Sequence, residues 1–598
     1  MDGRSLCFGL PAAALLVIQI GLYIWMAPRG FDFTDEAYYF LNYLYWREIV
    51  GLVSLFGAYF EWPFRLLGQS VAAIRVFSLL ALLGCASFFM WEAVRQFSCG
   101  GAASDHAEWP FVLTGSAASM FYFGYLSTTR APSYNLLSLC SMMLATALLL
   151  RLLRSGMTGS AGRALAFCYG VVVGACILGK ASSGLLLLAF HSLFFVLLNR
   201  NWSGRILAGL LIAVLLGVCL NLAILQWTHP HWMTVMLEGV AIFNYSSENG
   251  LVEMANALRW DIQRQAFLLP WAAGLLLAFG AVVRLCMRTQ RRVLAAIVVY
   301  VCGVWTYVLT LDDQARFWLP ATVVVVLLLW SVEAAGRQPL KLTRRDAADW
   351  TLLGLLFVLP LGFSFGTNMP VVEHSQLAAV FGVAAVVLML HRLAANRFLP
   401  APAVAICLAV LCVPTVVIQA RAARDVHYTF RQTSALGEQH LPVRLGAAGD
   451  TLLVDSDTLV TLESVMRAAK LAGFMPGQLI LDFTGDGPGF VYALGGRPLG
   501  LAWLPGGYPL SQSWAERMLV RLPEPDLRSA WILSSAENPR AIAGWEQMLT
   551  LRLGVGSHVR VAEIAVRPSY YWGAKAENRD HVSLEMWRPK AAGHARSN

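Results

Sequence analysis

Charge is scarce in this sequence. Of 598 residues only 14% are Asp, Glu, Lys or Arg, while 57% are hydrophobic. A soluble chain of this length needs a far more polar surface, which excludes a soluble enzyme. Cysteine is missing from the tail: all eleven lie at or before Cys412, and no two stand in a CxxC pair. A domain built from the tail therefore stands without disulfides, and a cysteine metal site is excluded. There is no P-loop, no strand–GxGxxG–helix unit, no repeat of fixed period and no low-complexity tract. On one side of the expected membrane every connection is short, which leaves no room there for a nucleotide-binding domain.

What is abundant is apolar sequence in runs long enough to cross a bilayer. Thirteen spans are expected, at 8–27, 71–94, 110–128, 134–152, 164–179, 183–199, 206–227, 266–284, 293–311, 317–335, 350–367, 376–393 and 398–420. The first could be taken for a signal peptide, but its length and the spans behind it favour an uncleaved helix. The net charge of +9 is gathered in alternate turns, among them Arg151, Arg154, Arg288, Arg291, Arg292, Arg344, Arg345 and Arg392. That is the positive-inside bias. It puts the N-terminus inside and the C-terminal tail outside, and it accounts for the charge without nucleic acid. The preference for Arg over Lys hints at a bacterial genome, so the protein is expected in a bacterial inner membrane with "outside" meaning periplasm.

The outer loop at 28–70 is too greasy for a free loop. Its stretches "EAYYFLNYLYW" and "EIVGLVSLFGAYF" read as two helices lying along the interface. A second large outer loop runs over 228–265. After Arg421 the strand-like runs "TLLVDS", "QLILDF", "AWILSS", "RVAEIAV" and "VSLEMW" alternate with helical stretches near 458–472, 511–520 and 539–549. The expected fold is thus a membrane all-α bundle of about 13 transmembrane helices over 1–420, followed by a periplasmic α/β domain over 421–598.

Ionisable residues collect on the outer side, and so should the chemistry. "GFDFTDEAYYF" sets Asp32, Asp35 and Glu36 where the chain leaves the first span. Thr34 or Asp35 could simply cap the interfacial helix. Three acids among aromatics exceed what a cap requires, however, and a carboxylate partly removed from water is a better base. Nucleotide sugars are absent outside, so a glycosyl transfer there must draw on a lipid-linked donor. Its departing phosphate needs Arg, Lys or a metal ion.

A DE pair after the first span ("TDEAYY"), interfacial helices in the first outer loop, a dozen or so spans and a C-terminal periplasmic domain resemble the GT-C fold glycosyltransferases. Protein O-mannosyltransferases and lipid A aminoarabinose transferases are the relatives it looks most like. The resemblance implies that an acid at this position is a catalytic base or metal contact; here that is Asp35, with Glu36 beside it. "GKASSG" between spans also resembles GT-C sequences and points to Lys180 as a phosphate ligand. Arg130, Arg75, Arg259, Arg264 and Arg316 are further candidates, each with the alternative of an interfacial anchor. Glu61 is a candidate second acid or a rim ion pair. His229 and His231 in "THPHW" could hold a divalent metal or be structural. His191 reads as a core histidine, and "DFTGDGPGFVYALGG" as a turn-rich loop, lacking phosphate-loop spacing. The expected activity is inverting transfer of a monosaccharide from a polyprenyl-phosphate donor to a glycan, lipid or protein acceptor. Two alternatives stay open: an O-antigen ligase or polymerase, and a lipid or sugar flippase.

Overall fold

The computed structural model describes residues 3–98, 108–124, 130–155, 159–198, 204–243, scattered positions between 256 and 283, then 291–309, 318–336, 344–366, 369–507, 510–566 and 582–590. Among these residues nine helices are long and apolar enough to cross a bilayer. They include α1 (Gly3–Met26), α4 (Val71–Ser98), α6 (Tyr134–Ser155), α7 (Gly159–Gly179), α8 (Ala181–Leu198) and α9 (Gly204–Thr228). The remainder are Asp346–Ser364, Val371–Ala395 and Ala401–Ala422, and shorter apolar helices occur at Trp232–Ala241, Val293–Thr306 and Trp318–Ala334. The chain is a multi-pass membrane protein.

Over the expected span at 110–128 the described residues form α5 (Trp109–Ser119), which tightens into a 3-10 turn at Met120–Gly124; 125–129 lie outside the described residues. The span expected at 266–284 lies outside the described residues except at scattered positions. Helices apolar all round suit a lipid setting, where every backbone group must bond within its own segment. The segment 371–395 is 94% buried, which makes it the axis of the bundle. Its many Ala, Gly and Val residues let neighbouring helices approach closely.

At one end of the bundle, arginines are tied to acids. Arg392 Nε bonds Glu333 at 2.7 Å and the same guanidinium meets Asp346 and Asp349, while Arg151 and Arg154 pair with Glu92. The other end carries the first loop and the sheet domain. In the loop, α2 (Asp35–Tyr45) forms where expected. The second interfacial helix, α3, starts only at Phe56 and runs to Leu66, leaving the preceding residues irregular. Phe40 stacks on Phe64 at 5.6 Å and meets Tyr492 of the sheet domain at 5.1 Å. Such ring pairs add about 0.5–1.5 kcal/mol each beyond area burial.

The tail builds a hairpin, β1 (Leu441–Leu445) and β2 (Asp450–Val454), and a five-stranded sheet of order β4-β3-β5-β7-β6. Its strands are β3 (Leu479–Asp482), β4 (Arg497–Pro498), β5 (Trp531–Ser534), β6 (His558–Val566) and β7 (Val582–Pro589). β3 runs parallel to β4 and β5, and β7 is antiparallel to β5 and β6. All five strand-like runs of the sequence are strands. β1 and β4 were not expected: Pro442 and the two-residue length of β4 hide their pattern.

The sheet domain is stitched to the first loop by backbone. Gly30 N bonds Leu453 O at 2.8 Å, Leu453 N bonds Pro28 O at 2.8 Å, and Gly489 N bonds Phe33 O at 2.8 Å. Asp450 Oδ2 accepts from Val71 N at 2.7 Å and so ends α4 from across the seam. These bonds leave residues 28–40 sandwiched between the spans and the sheet.

Candidate active site

The segment "FDFTDE" is organised by two of its three acids. Asp32 Oδ1 accepts from Thr34 N at 3.0 Å and from Thr34 Oγ1 at 2.7 Å, while Oδ2 accepts from Glu36 N at 3.0 Å. The helix-starting role expected of Thr34 or Asp35 is therefore taken by Asp32: Thr34 makes no capping bond of its own. Burial pushes the Asp32 carboxyl up to about 6, with the Arg431 charge opposing and Asp35 adding to the rise.

Glu36 turns inward onto Arg75. The guanidinium Nε donates to Glu36 Oε1 at 2.8 Å and Nη2 reaches Oε2, a bidentate pair fully removed from solvent on the Arg75 side. The remaining donors go to backbone: Nη1 to Ala27 O at 2.6 Å and Arg29 O at 3.0 Å, Nη2 to Gly30 O at 2.8 Å. All five N–H groups of Arg75 are used by the protein. Arg75, expected to meet phosphate, and Glu36, expected beside the base, here form a clip that holds the loop on α4.

Asp35 faces the other way. Its Oδ2 is 2.8 Å from Arg431 Nη1, and each side chain keeps some access to solvent, 25% for Asp35 and 19% for Arg431. Arg431 also bonds Thr34 Oγ1. Burial raises the Asp35 carboxyl above its ordinary range, while the charges of Arg431 and Arg540 pull it back. The hydroxyls of Tyr38 and Tyr39 are pushed up by burial, with Asp35 adding to it. Asp35 is thus a half-wet carboxylate with a raised proton affinity, in an aromatic wall, facing a cation. Sequence reasoning missed Arg431 and Arg540. Both belong to the tail, and no local pattern ties them to a residue near the N-terminus.

Beside this segment a small cleft of about 50 Å³ runs between α1, the 3-10 turn, the end of Ala401–Ala422 and the chain after it. Its polar lining includes Asp32, Glu36, Arg130, Gln419 and Gln432, and its apolar lining includes Met26, Phe123, Ile418 and Phe430. Arg130 contacts Met26 O and Arg29 O. Burial pushes its guanidinium down to about 9, with Arg75 adding to the fall and Glu36 opposing it.

The other candidates go elsewhere. Lys180 Nζ donates to Phe363 O at 2.5 Å; Ser183 Oγ reaches the same carbonyl at 2.8 Å and Ser182 Oγ reaches Phe365 O at 2.7 Å. "KASS" therefore closes the carbonyl end of Arg344–Ser364, where a cation also suits the helix dipole. Lys180 is not in the lining of the cleft with Arg130. Glu61 accepts from Trp46 Nε1 at 2.7 Å, Arg47 at 2.7 Å and Arg65 at 3.1 Å. Burial raises its carboxyl, but these bonds and charges outweigh burial and hold it below its usual range. It is a rim hub joining α2 to α3 rather than a second acid.

The His229 ring stands edge-on to Trp46 at 5.3 Å, and His231 is exposed. Among the described residues no group of three or more His, Cys, Asp or Glu side chains gathers, so the expected metal pair finds no carboxylate to complete it. Arg259 is exposed; Arg264 and Arg316 lie outside the described residues. His191 is buried and bonds Tyr169 and Thr146, a core histidine.

No family model matches the sequence, and no curated protein matches it. Among solved structures the chain is similar to the crystal structure of ArnT from Cupriavidus metallidurans bound to undecaprenyl phosphate. The TM-score is 0.40 and the identity 15%, over 96% of this chain and 97% of that one.

Proposed function

We propose that this protein is a GT-C-type glycosyltransferase that uses a polyprenyl-phosphate-linked sugar on the periplasmic face of a bacterial inner membrane. Residues 1–420 supply the membrane part and residues 421–598 the outer domain that closes over it. One observation carries the reading. Asp35, a carboxylate of raised proton affinity, sits where the chain leaves a span, in a segment whose neighbouring acids Asp32 and Glu36 line a cleft with a half-buried arginine and apolar walls.

In this reading Asp35 takes the proton from an acceptor hydroxyl. The oxygen attacks the anomeric carbon from the side opposite the phosphate, which inverts the configuration. A positioned base of this kind contributes about 10²–10⁴-fold. Arg130, in the wall of the cleft, faces the charge that grows on the departing phosphate, where a low dielectric strengthens the attraction,. Met26, Phe123 and Ile418 offer the apolar surface a prenyl chain needs on its way in from the bilayer. Glu36, Arg75, Asp32 and Glu61 hold the loop in shape. The test is Asp35→Asn in purified protein with a monosaccharide polyprenyl phosphate: transfer should fall within the range just given while the folded protein persists. Unchanged transfer excludes Asp35 as base.

A further inference from the structure

Arg431 occupies a position that the chain reaches only under constraint. Its φ of +49° lies in the left-handed region, unusual for a residue with a side chain,. The next residue holds it there. Gln432 Oε1 accepts from Phe31 N at 3.2 Å and from Gln439 Nε2 at 3.4 Å. It sits in a notch over Gly30, where an added Cβ would lie 2.6 Å from Gln432 Oε1. Gly30 itself has φ +76°, so no other residue suits that place,. Strain of this sort persists where the surroundings over-determine it and clusters at ligand clamps and switch regions.

The same backbone passes along the cleft. Phe430 and Gln432 line it with Arg130, whereas the Arg431 guanidinium between them is on Asp35 and Thr34. Arg431 is not itself in the lining, but its charge also acts on Asp32, which is, so its guanidinium stands between the carboxylate it now holds and the acid wall of the cleft. We propose that Arg431 is shared between Asp35 and a phosphate in the cleft. With no donor bound it pairs with Asp35; a lipid phosphate in the cleft draws it away, adds a second cation beside Arg130, and leaves Asp35 as an unpaired base. This rests on the function proposed above and adds to it an order of events, donor before base.

The groups around Asp35 set the pH behaviour. They are Asp32 and Thr34 of its own loop, Tyr38 and Tyr39 of α2, Tyr134 of α6, Arg431, and Arg540 after β5. Protonation of Asp35 releases Arg431, so acid should favour phosphate binding as long as the carboxylate is present to compete.

Farnesyl phosphate, with farnesol as the uncharged control, serves as probe on the full-length protein in detergent. Asp35→Asn should bind it more tightly than the natural chain, by up to about fivefold as the part-exposed ion pair with Arg431 is relieved,. The advantage should shrink as pH falls. Arg431→Gln should bind more weakly by a similar factor, with Arg431→Lys recovering part of the loss. If the natural chain binds and Asp35→Asn gains nothing at neutral pH, the sharing of Arg431 is wrong whatever happens to Arg431→Gln. If the natural chain prefers farnesyl phosphate no more than farnesol, the lipid-phosphate donor itself is wrong, and this inference with it.

Discussion

Replacing Glu36 by Gln is the perturbation whose consequence is most firmly fixed by geometry. The substitution keeps the shape of the side chain and removes its charge, leaving Arg75 with no anion. Arg75 has no exposed surface, and Glu36 is 2% exposed. Breaking a buried pair by removing one partner costs about 3–5 kcal/mol, because the remaining ion is left without compensation. The carbonyls of Ala27, Arg29 and Gly30 still receive Arg75, so the lower half of that range is expected. That is a large share of the ~5–15 kcal/mol that typically separates folded from unfolded protein. The assay is thermal unfolding in detergent, read as monodisperse protein surviving a heat step. A double-mutant cycle with Arg75→Gln should show that the pair loses much less than the sum of the two single changes. If Glu36→Gln kept the natural melting point while abolishing transfer, Glu36 would be a catalytic group and the division of labour between the two adjacent acids would be reversed.

Three further outcomes follow from contacts already described. Arg540→Gln removes a cation that favours the ionised form of Asp35, so the carboxyl should titrate at higher pH. The acid limb of kcat should then move upward in a pH–rate profile, and a downward move would contradict the assignment,. Lys180→Met leaves Ser183 on the same carbonyl of Phe363. It should cost no more than about 3 kcal/mol in stability and leave the KM for donor in place; a tenfold rise in KM would restore Lys180 as a phosphate ligand,. Gly489→Ala puts a methyl 2.6 Å from Phe33 Cα, so it should loosen the seam between loop and sheet. Protease cleavage should become easier between residues 423 and 440, and unchanged cleavage would show the seam to be slack already.

The bundle could be read from the chain because a lipid-facing helix announces itself by composition alone, and the strands of the tail because alternating β-branched runs do the same. The site was harder. "TDEAYY" pointed to the segment on which the proposed site rests, but nothing local distinguishes Asp35 from Glu36. That distinction comes from Arg75, a turn into the next span, and from Arg431, 397 positions beyond Thr34. Lys180 was correctly put at a tight turn between spans, yet the free carbonyls it meets belong to a helix end 183 positions away. Asp32 was seen as one acid of three, and its bonding to Thr34 and Glu36 shows only once the turn is folded. In each case the residue type was legible and the partner was not, since partners here are chosen by the packing of distant segments.

The central claim is that Asp35 is the base. Single-turnover transfer of sugar from a polyprenyl-phosphate donor, measured for the natural chain and Asp35→Asn under donor saturation, tests it most directly. The account predicts a rate lower by about 10²–10⁴-fold in the variant with farnesyl phosphate binding retained or improved. Equal rates in the two proteins would contradict it.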